Sequence, residues 1–240
     1  YPLGGSSTGS SSTLTIPNES VPSATVFDFD NSLNQYINLN ATLTKLSVTD
    51  TFSFSTWVKT DAPTAWAHVV GGTSSGSWSD GFGLFTSSGS QWQFWVNQYN
   101  GNFTTSVDNI VAGQWYHIVC TYSDSSGGKM YIDNGTATTF GATTLDGQGE
   151  DIDIGTIGNN AAYDFPGEIT NTQFWNTELS SSDVTTLYNN GVPLFSDTQP
   201  QAANLRAWYP MNVENATWNG SNWIIEDSST PYSGTINFQI

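Results

Sequence analysis

Scarcity narrows the uses of this sequence first. Among 240 residues there are four cations, Lys45, Lys59, Lys129 and Arg206, against 21 acidic residues, for a net charge of −17. Phosphate binding draws on clustered Lys and Arg that release counterions, and these four are scattered, so nucleic acid is excluded as a partner. An anionic membrane surface is excluded on the same ground. One cysteine, Cys120, cannot form a disulfide within the chain, so the fold rests on its apolar core. No apolar run approaches the roughly 20 residues of a bilayer-spanning helix, so membrane insertion by a helix is not expected. The chain begins at Tyr1 with no signal-peptide pattern after it, which points to a processed chain or a piece of a longer one.

What is abundant points to a surface. Ser, Thr and Asn fill about a third of the chain, far above ordinary globular usage. With the acidic excess, this suits an extracellular, cell-surface or virion-surface setting, where salt screens self-repulsion. Residues 1–23, which include GGSSTGSSSTLT, read as a Gly/Ser-rich arm or linker. From Val26 onward short alternating segments follow one another. Phe52, Phe54, Thr56 and Val58 alternate with Ser53, Ser55, Trp57 and Lys59. Trp92, Phe94 and Val96 alternate with Gln91, Gln93, Trp95 and Asn97. Tyr116, Ile118, Cys120 and Tyr122 alternate with Trp115, His117, Val119 and Thr121. Period two, broken by turn pairs such as Gly127-Gly128 and Asn134-Gly135, predicts antiparallel strands. One helix is expected near 180–190. Ser180 and Asp183 can form a capping box, Val184, Leu187 and Tyr188 an apolar stripe, and Asn190-Gly191 a stop. The predicted fold is all-β, an antiparallel two-sheet jelly-roll sandwich. It occupies residues 24–196, and an extension over 197–240 adds strands or opens a second repeat.

Five stretches, in order, resemble the laminin-G-like domains of the concanavalin A-like lectin/glucanase superfamily. They are FSFSTWVKT (52–60), GQWYHIVCTYS (113–123), KMYIDNG (129–135), IDIGTIGNN (152–160) and FPGEITNTQFWNTELSSSDVTTLYNNG (165–191). The tail segment LRAWYPM (205–211) resembles the opening of such domains. The resemblance implies a jelly roll of the kind found in marine bacterial and phage surface proteins. It leaves function broad.

Three chemistries bear on this scaffold. A glucanase cleft needs carboxylates at alternate strand positions. Asp151 and Asp153 share a face, but Gly155 stands in the third position, so no catalytic residues and no enzyme are expected; a polysaccharide-degrading glucanase is the least favoured reading. His117 is expected to pack, and His68 has no nucleophile in local register. Asp146, Glu150, Asp151 and Asp153 form the densest acidic cluster, with oxygen ligands that suit Ca²⁺. The pentraxin-like ligand run, however, is replaced by Thr156, Ile157 and Gly158. No metal residues are therefore assigned and no cofactor is expected, with a single structural Ca²⁺ the one exception left open. Glycan binding needs flat aromatic faces beside amides. The carbohydrate-binding candidates are Trp95 with Gln91, Gln93 and Asn97 on its face, Trp57 on another strand, and Trp66 and Trp78 in loop-like sequence. Two roles follow. One is a non-catalytic glycan-recognition module for a neutral sugar, sulfated and uronic polymers being repelled. The other is a surface or virion assembly protein, whose arm (1–23) and tail (197–240) bind copies of itself or neighbouring surface proteins.

Overall fold

The computed structural model describes residues 15–16, 19–20, 26–74, 76–158, 160–196, 198–211, 216–218, 223–229 and 235–239. In chain order the strands are β1 (Thr15–Ile16), β2 (Glu19–Ser20), β3 (Phe27–Phe29), β4 (Tyr36–Thr42), β5 (Thr51–Thr60) and β6 (His68–Gly72). There follow β7 (Phe82–Thr86), β8 (Trp92–Val96), β9 (Phe103–Thr105), β10 (Trp115–Ser123), β11 (Gly127–Ile132) and β12 (Thr138–Phe140). The last are β13 (Asp151–Ile154), β14 (Gly167–Trp175), β15 (Leu205–Tyr209), β16 (Ala216–Trp218), β17 (Trp223–Glu226) and β18 (Thr235–Gln239); helix α1 spans Ser181–Tyr188.

Two antiparallel sheets face each other. The first runs β12-β11-β10-β5-β14-β15, with β3 pairing along the start of β14. The second, nine-stranded, runs β16-β17-β18-β4-β13-β6-β7-β8-β9. The alternation seen in the sequence decides which side chains enter the space between them. Phe52 and Phe54 from β5 meet Phe82 from β7 and Phe94 from β8, with ring centroids 5.1 to 5.8 Å apart. Such tilted and edge-on pairs add about 0.5–1.5 kcal/mol each beyond the burial of their area. Ile118, Cys120 and Tyr122 of β10 complete this core, and Cys120 behaves as a small apolar residue whose thiol burial pushes well up.

The predicted helix is present, with its predicted cap. The Ser180 hydroxyl accepts from the Asp183 N–H at 3.2 Å, and the Asp183 carboxylate accepts from the Ser180 N–H at 2.9 Å. Left-handed Asn189 ends it (φ 46°). Val184 and Leu187 lie on the outer face of the first sheet against Val119, Trp175, Leu205 and Trp208. That face is therefore covered.

The described part of the tail pairs within the chain. β15 hydrogen-bonds to β14, and β17 and β18 extend the second sheet beyond β4. Asp227, just after β17, ties the sheets together by accepting from the N–H of Trp208 in β15 at 2.8 Å. The tail strands so paired turn their backbone groups to this chain. Of the arm, β1 and β2 form a separate two-stranded ladder; the rest of residues 1–23 lies outside the described residues.

A candidate aromatic binding pocket

The site grows out of β6, β7 and β8. On these strands Val69, Val70, Phe82, Leu84, Trp92, Phe94 and Val96 enter the main core, which turns His68, Phe85 and Trp95 to the opposite face. Glycines let a flat layer form there. A Cβ on Gly83 would stand 2.6 Å from Trp95 Nε1 and 3.2 Å from His68 Cδ2, so only glycine lets both rings lie against the strand. Gly71 similarly makes room for Ile157.

Loops lay a second aromatic layer over the first. Trp78 stacks nearly parallel to Trp95 (6.3 Å, 11°) and meets His68 edge-on (4.5 Å, 80°). Its loop is pinned by Asp80, whose carboxylate accepts from the Thr73 hydroxyl at 2.6 Å, the Ser74 N–H at 3.0 Å and the Ser74 hydroxyl. Trp66 stacks on Phe85 (5.6 Å, 22°). Tyr99 is held by its N–H, which donates to Trp78 O at 3.3 Å, and by its carbonyl, which accepts from Gln93 Nε2 at 3.0 Å. Tyr163 closes a 3-10 turn capped by Asn160. Together Trp66, Trp78, Tyr99 and Tyr163, with Gly76 and Ser77, line an open pocket of about 310 Å³. The rings meet at steep angles: Trp66 with Tyr99 at 90°, Trp78 with Tyr99 at 75° and Trp78 with Tyr163 at 71°.

Both tryptophans sit in left-handed backbone, with φ 71° at Trp66 and 48° at Trp78. For a bulky side chain this region is strained, at about 1–3 kcal/mol per residue, and such strain concentrates at working sites. The strain at Trp66 is over-determined by neighbours. Its N–H donates to Thr86 O at 2.6 Å, and its carbonyl accepts from His68 Nδ1 at 2.9 Å. A carbonyl only accepts, so His68 carries its proton on Nδ1. Full burial pushes the imidazole down to about 3, leaving it neutral. Beneath Trp78, the His68 Nε2 lone pair and the Trp95 Nε1–H are both buried without a hydrogen-bond partner.

The structure sorts the residues singled out from sequence. Trp66 and Trp78 come together in the pocket. Trp95 does face away from the core, but at 0% exposure it is the floor under Trp78 and offers no face to a sugar. Its neighbouring amides are spent on loops. Gln91 Nε2 donates to Ser106 O at 2.7 Å, Gln93 Nε2 to Tyr99 O, and Asn97 fastens residues 143–146 through Thr144 O and the Asp146 N–H. Trp57 lies on the first sheet at 1% exposure, where its ring, the His117 ring and Tyr188 at the end of α1 pack against one another. Alternation told which face these side chains take; it could not tell that a helix or a loop covers that face. Tyr99 and Tyr163 were missed, although each is a large aromatic in turn-like sequence (QYNG, NNAAYD), the same signal that marked Trp66 and Trp78.

The geometry bears on two other chemistries. The acidic cluster does not converge. Asp151 is exposed, a bulge separates it from Asp153, and buried Asp153 accepts from Asn38 Nδ2 at 2.9 Å. Among the described residues no three His, Cys, Asp or Glu side chains gather where they could hold a metal ion. A serine–histidine pair does form, Ser55 Oγ to His117 Nε2 at 2.8 Å. It is sealed beneath Trp57 and Tyr188, His117 Nδ1 meets no acid, and burial pushes the imidazole down to about 3. A nucleophile–base pair needs both an orienting group and access for a substrate, and this one has neither.

Two packed antiparallel sheets, one outer face capped by a helix and the other carrying an aromatic pocket, define a lectin-like jelly roll. The chain belongs to the laminin-G family of the concanavalin A-like lectin/glucanase superfamily, whose pattern matches residues 30–185. Among solved structures, a candidate carbohydrate binding protein from Bacteroides ovatus aligns with a TM-score of 0.64 at 16% identity, over 88% of this chain and 57% of that one. This chain thus spans a little over half the length of that relative. The heptameric SAP-like pentraxin of Limulus polyphemus aligns with a TM-score of 0.50 at 15% identity, over 89% of this chain and 93% of its own. Trypanosoma rangeli sialidase aligns with a TM-score of 0.51 at 20% identity, over 71% of this chain and 28% of its own. At such identities the likeness is one of fold. No curated protein matches the sequence at a significant level.

Proposed function

We propose that this chain is a non-catalytic carbohydrate-recognition domain of a secreted or surface-exposed protein, and that the sugar enters the pocket walled by Trp66, Trp78, Tyr99 and Tyr163. One observation carries the reading: two tryptophans held in strained left-handed backbone converge, from separate loops, on one cavity. Aromatic faces stack on the C–H faces of pyranose rings, and a pocket of this volume suits one to two sugar units. The carbohydrate-binding description of the Bacteroides relative, on the same fold, agrees with this reading.

Trp66 is half-buried and makes the cleaner probe, because removing it leaves the main core intact. Trp66→Ala is expected to weaken binding at least about tenfold, equivalent to about 1.4 kcal/mol, with the melting temperature close to that of the parent. A glycan array followed by calorimetry on the best hit measures this. Unaltered affinity in the variant, or no hit for the parent, overturns the reading.

A second role, surface assembly through the arm, draws support from β1 and β2. Among the described residues their small ladder pairs with neither large sheet, the arrangement an arm reaching to a neighbouring molecule would have.

A further inference from the structure

We infer that the group anchoring the sugar in this pocket is cationic, a protonated amino sugar such as the glucosamine units of a deacetylated chitin-type glycan. The inference rests on the carbohydrate reading above and narrows it.

Three observations lead there. The first is the shape of the walls. The four rings meet one another at 60–90°, so the wall presents aromatic surface turned in several directions. The electron-rich face of Trp or Tyr attracts an ammonium group, and more so as water is removed.

The second is what the walls lack. Among the described residues the lining side chains are one serine, two tyrosines and two tryptophans, with no amide, carboxylate or cation. Neutral sugars are read through directional bonds to several hydroxyls, and the nearby amides of Gln91, Gln93 and Asn97 are already bonded within the chain. An anionic sugar would need Lys or Arg, and none lines the pocket.

The third is where the charges lie. Of the four cations, Lys59, Lys129 and Arg206 belong to β5, β11 and β15 of the first sheet, the layer opposite the pocket, and Lys45 is exposed in the turn after β4 of the second. Two of them are paired, Lys59 with Glu168 and Lys129 with Glu178. Lys59 already lies 5.4 Å from the centre of the Trp115 ring, so the chain uses the same attraction on its far side. On the pocket side, Asp80 shares the loop of Trp78, and Asp164 follows Tyr163 directly. Asp164 is 3% exposed, and burial pushes its carboxyl up from the usual carboxylate range. With 21 acidic residues against four cations, the field of the chain as a whole favours a cation over an anion.

The test titrates the full chain with a glucosamine tetramer, its N-acetylated counterpart and a neutral glucose tetramer, at pH 5.5 and at low and high salt. The glucosamine tetramer is expected to bind ten- to thirty-fold more tightly than the acetylated one. Its advantage should shrink with salt, and its binding should be lost in Trp66→Ala. Equal or tighter binding of the acetylated or neutral tetramer overturns the cationic anchor and leaves carbohydrate recognition standing. Glucosamine binding that survives Trp66→Ala reflects general attraction to an acidic chain and overturns the anchor as well. If none of these sugars binds and an array gives no hit, both readings fall.

Discussion

Single residues set the acid response of this protein. His68 and His117 are fully buried, and burial pushes each imidazole from about 6.5 down to about 3. Between those values the unfolded chain takes up two protons that the native state refuses, so stability falls as pH drops. The loss is at most about 1.4 kcal/mol per pH unit for each histidine. Asp227 opposes it. Burial pushes its carboxyl up to about 6, so on acidification the native state binds that proton before the unfolded chain does. The net expectation is a urea midpoint that declines from pH 6.5 toward pH 4, less steeply than two histidines alone would give. His68→Gln and His117→Gln should each flatten the decline; denaturation curves across that range decide, and unchanged slopes in both variants would show that these imidazoles are not held neutral.

At the level of elements, the two outer faces are closed by different means, and only one was legible in advance. Helix α1 carries its own signals in Ser180, Asp183 and the Val184–Leu187 stripe, so its place could be read directly. Ser180→Ala is expected to cost about 1 kcal/mol, seen as a lowered denaturation midpoint. Sugar binding should be untouched, because α1 lies on the sheet opposite the pocket. A loss of affinity alongside the loss of stability would contradict that separation. The loops over β6, β7 and β8 carry no comparable periodic signal. Their order comes from long-range bonds, such as Asn97 to residues 143–146 and Trp66 to Thr86, which no local pattern announces.

For the whole molecule, the tail separates two kinds of terminus. Removing residues 216–240 strips β18 from β4 and leaves an unpaired edge beside the core, so aggregation or a much lower melting temperature is expected. Removing residues 1–23 takes away no strand of either large sheet and should leave that temperature nearly unchanged, while any assembly through the arm is lost. Scanning calorimetry with light scattering distinguishes the two truncations, and equal destabilisation would mean that the arm belongs to the body. By itself the sequence determined the layered β architecture, the inward-facing side chains of β5, β8 and β10, and the single capped helix, because a period of two and a capping box are local properties of the chain. Only the tertiary structure decided that Trp57 and Trp95 are covered while Trp66, Trp78, Tyr99 and Tyr163 share one opening. Which aromatic face meets solvent depends on segments far apart in sequence folding over one another, and alternation along one strand carries no record of what lies above it.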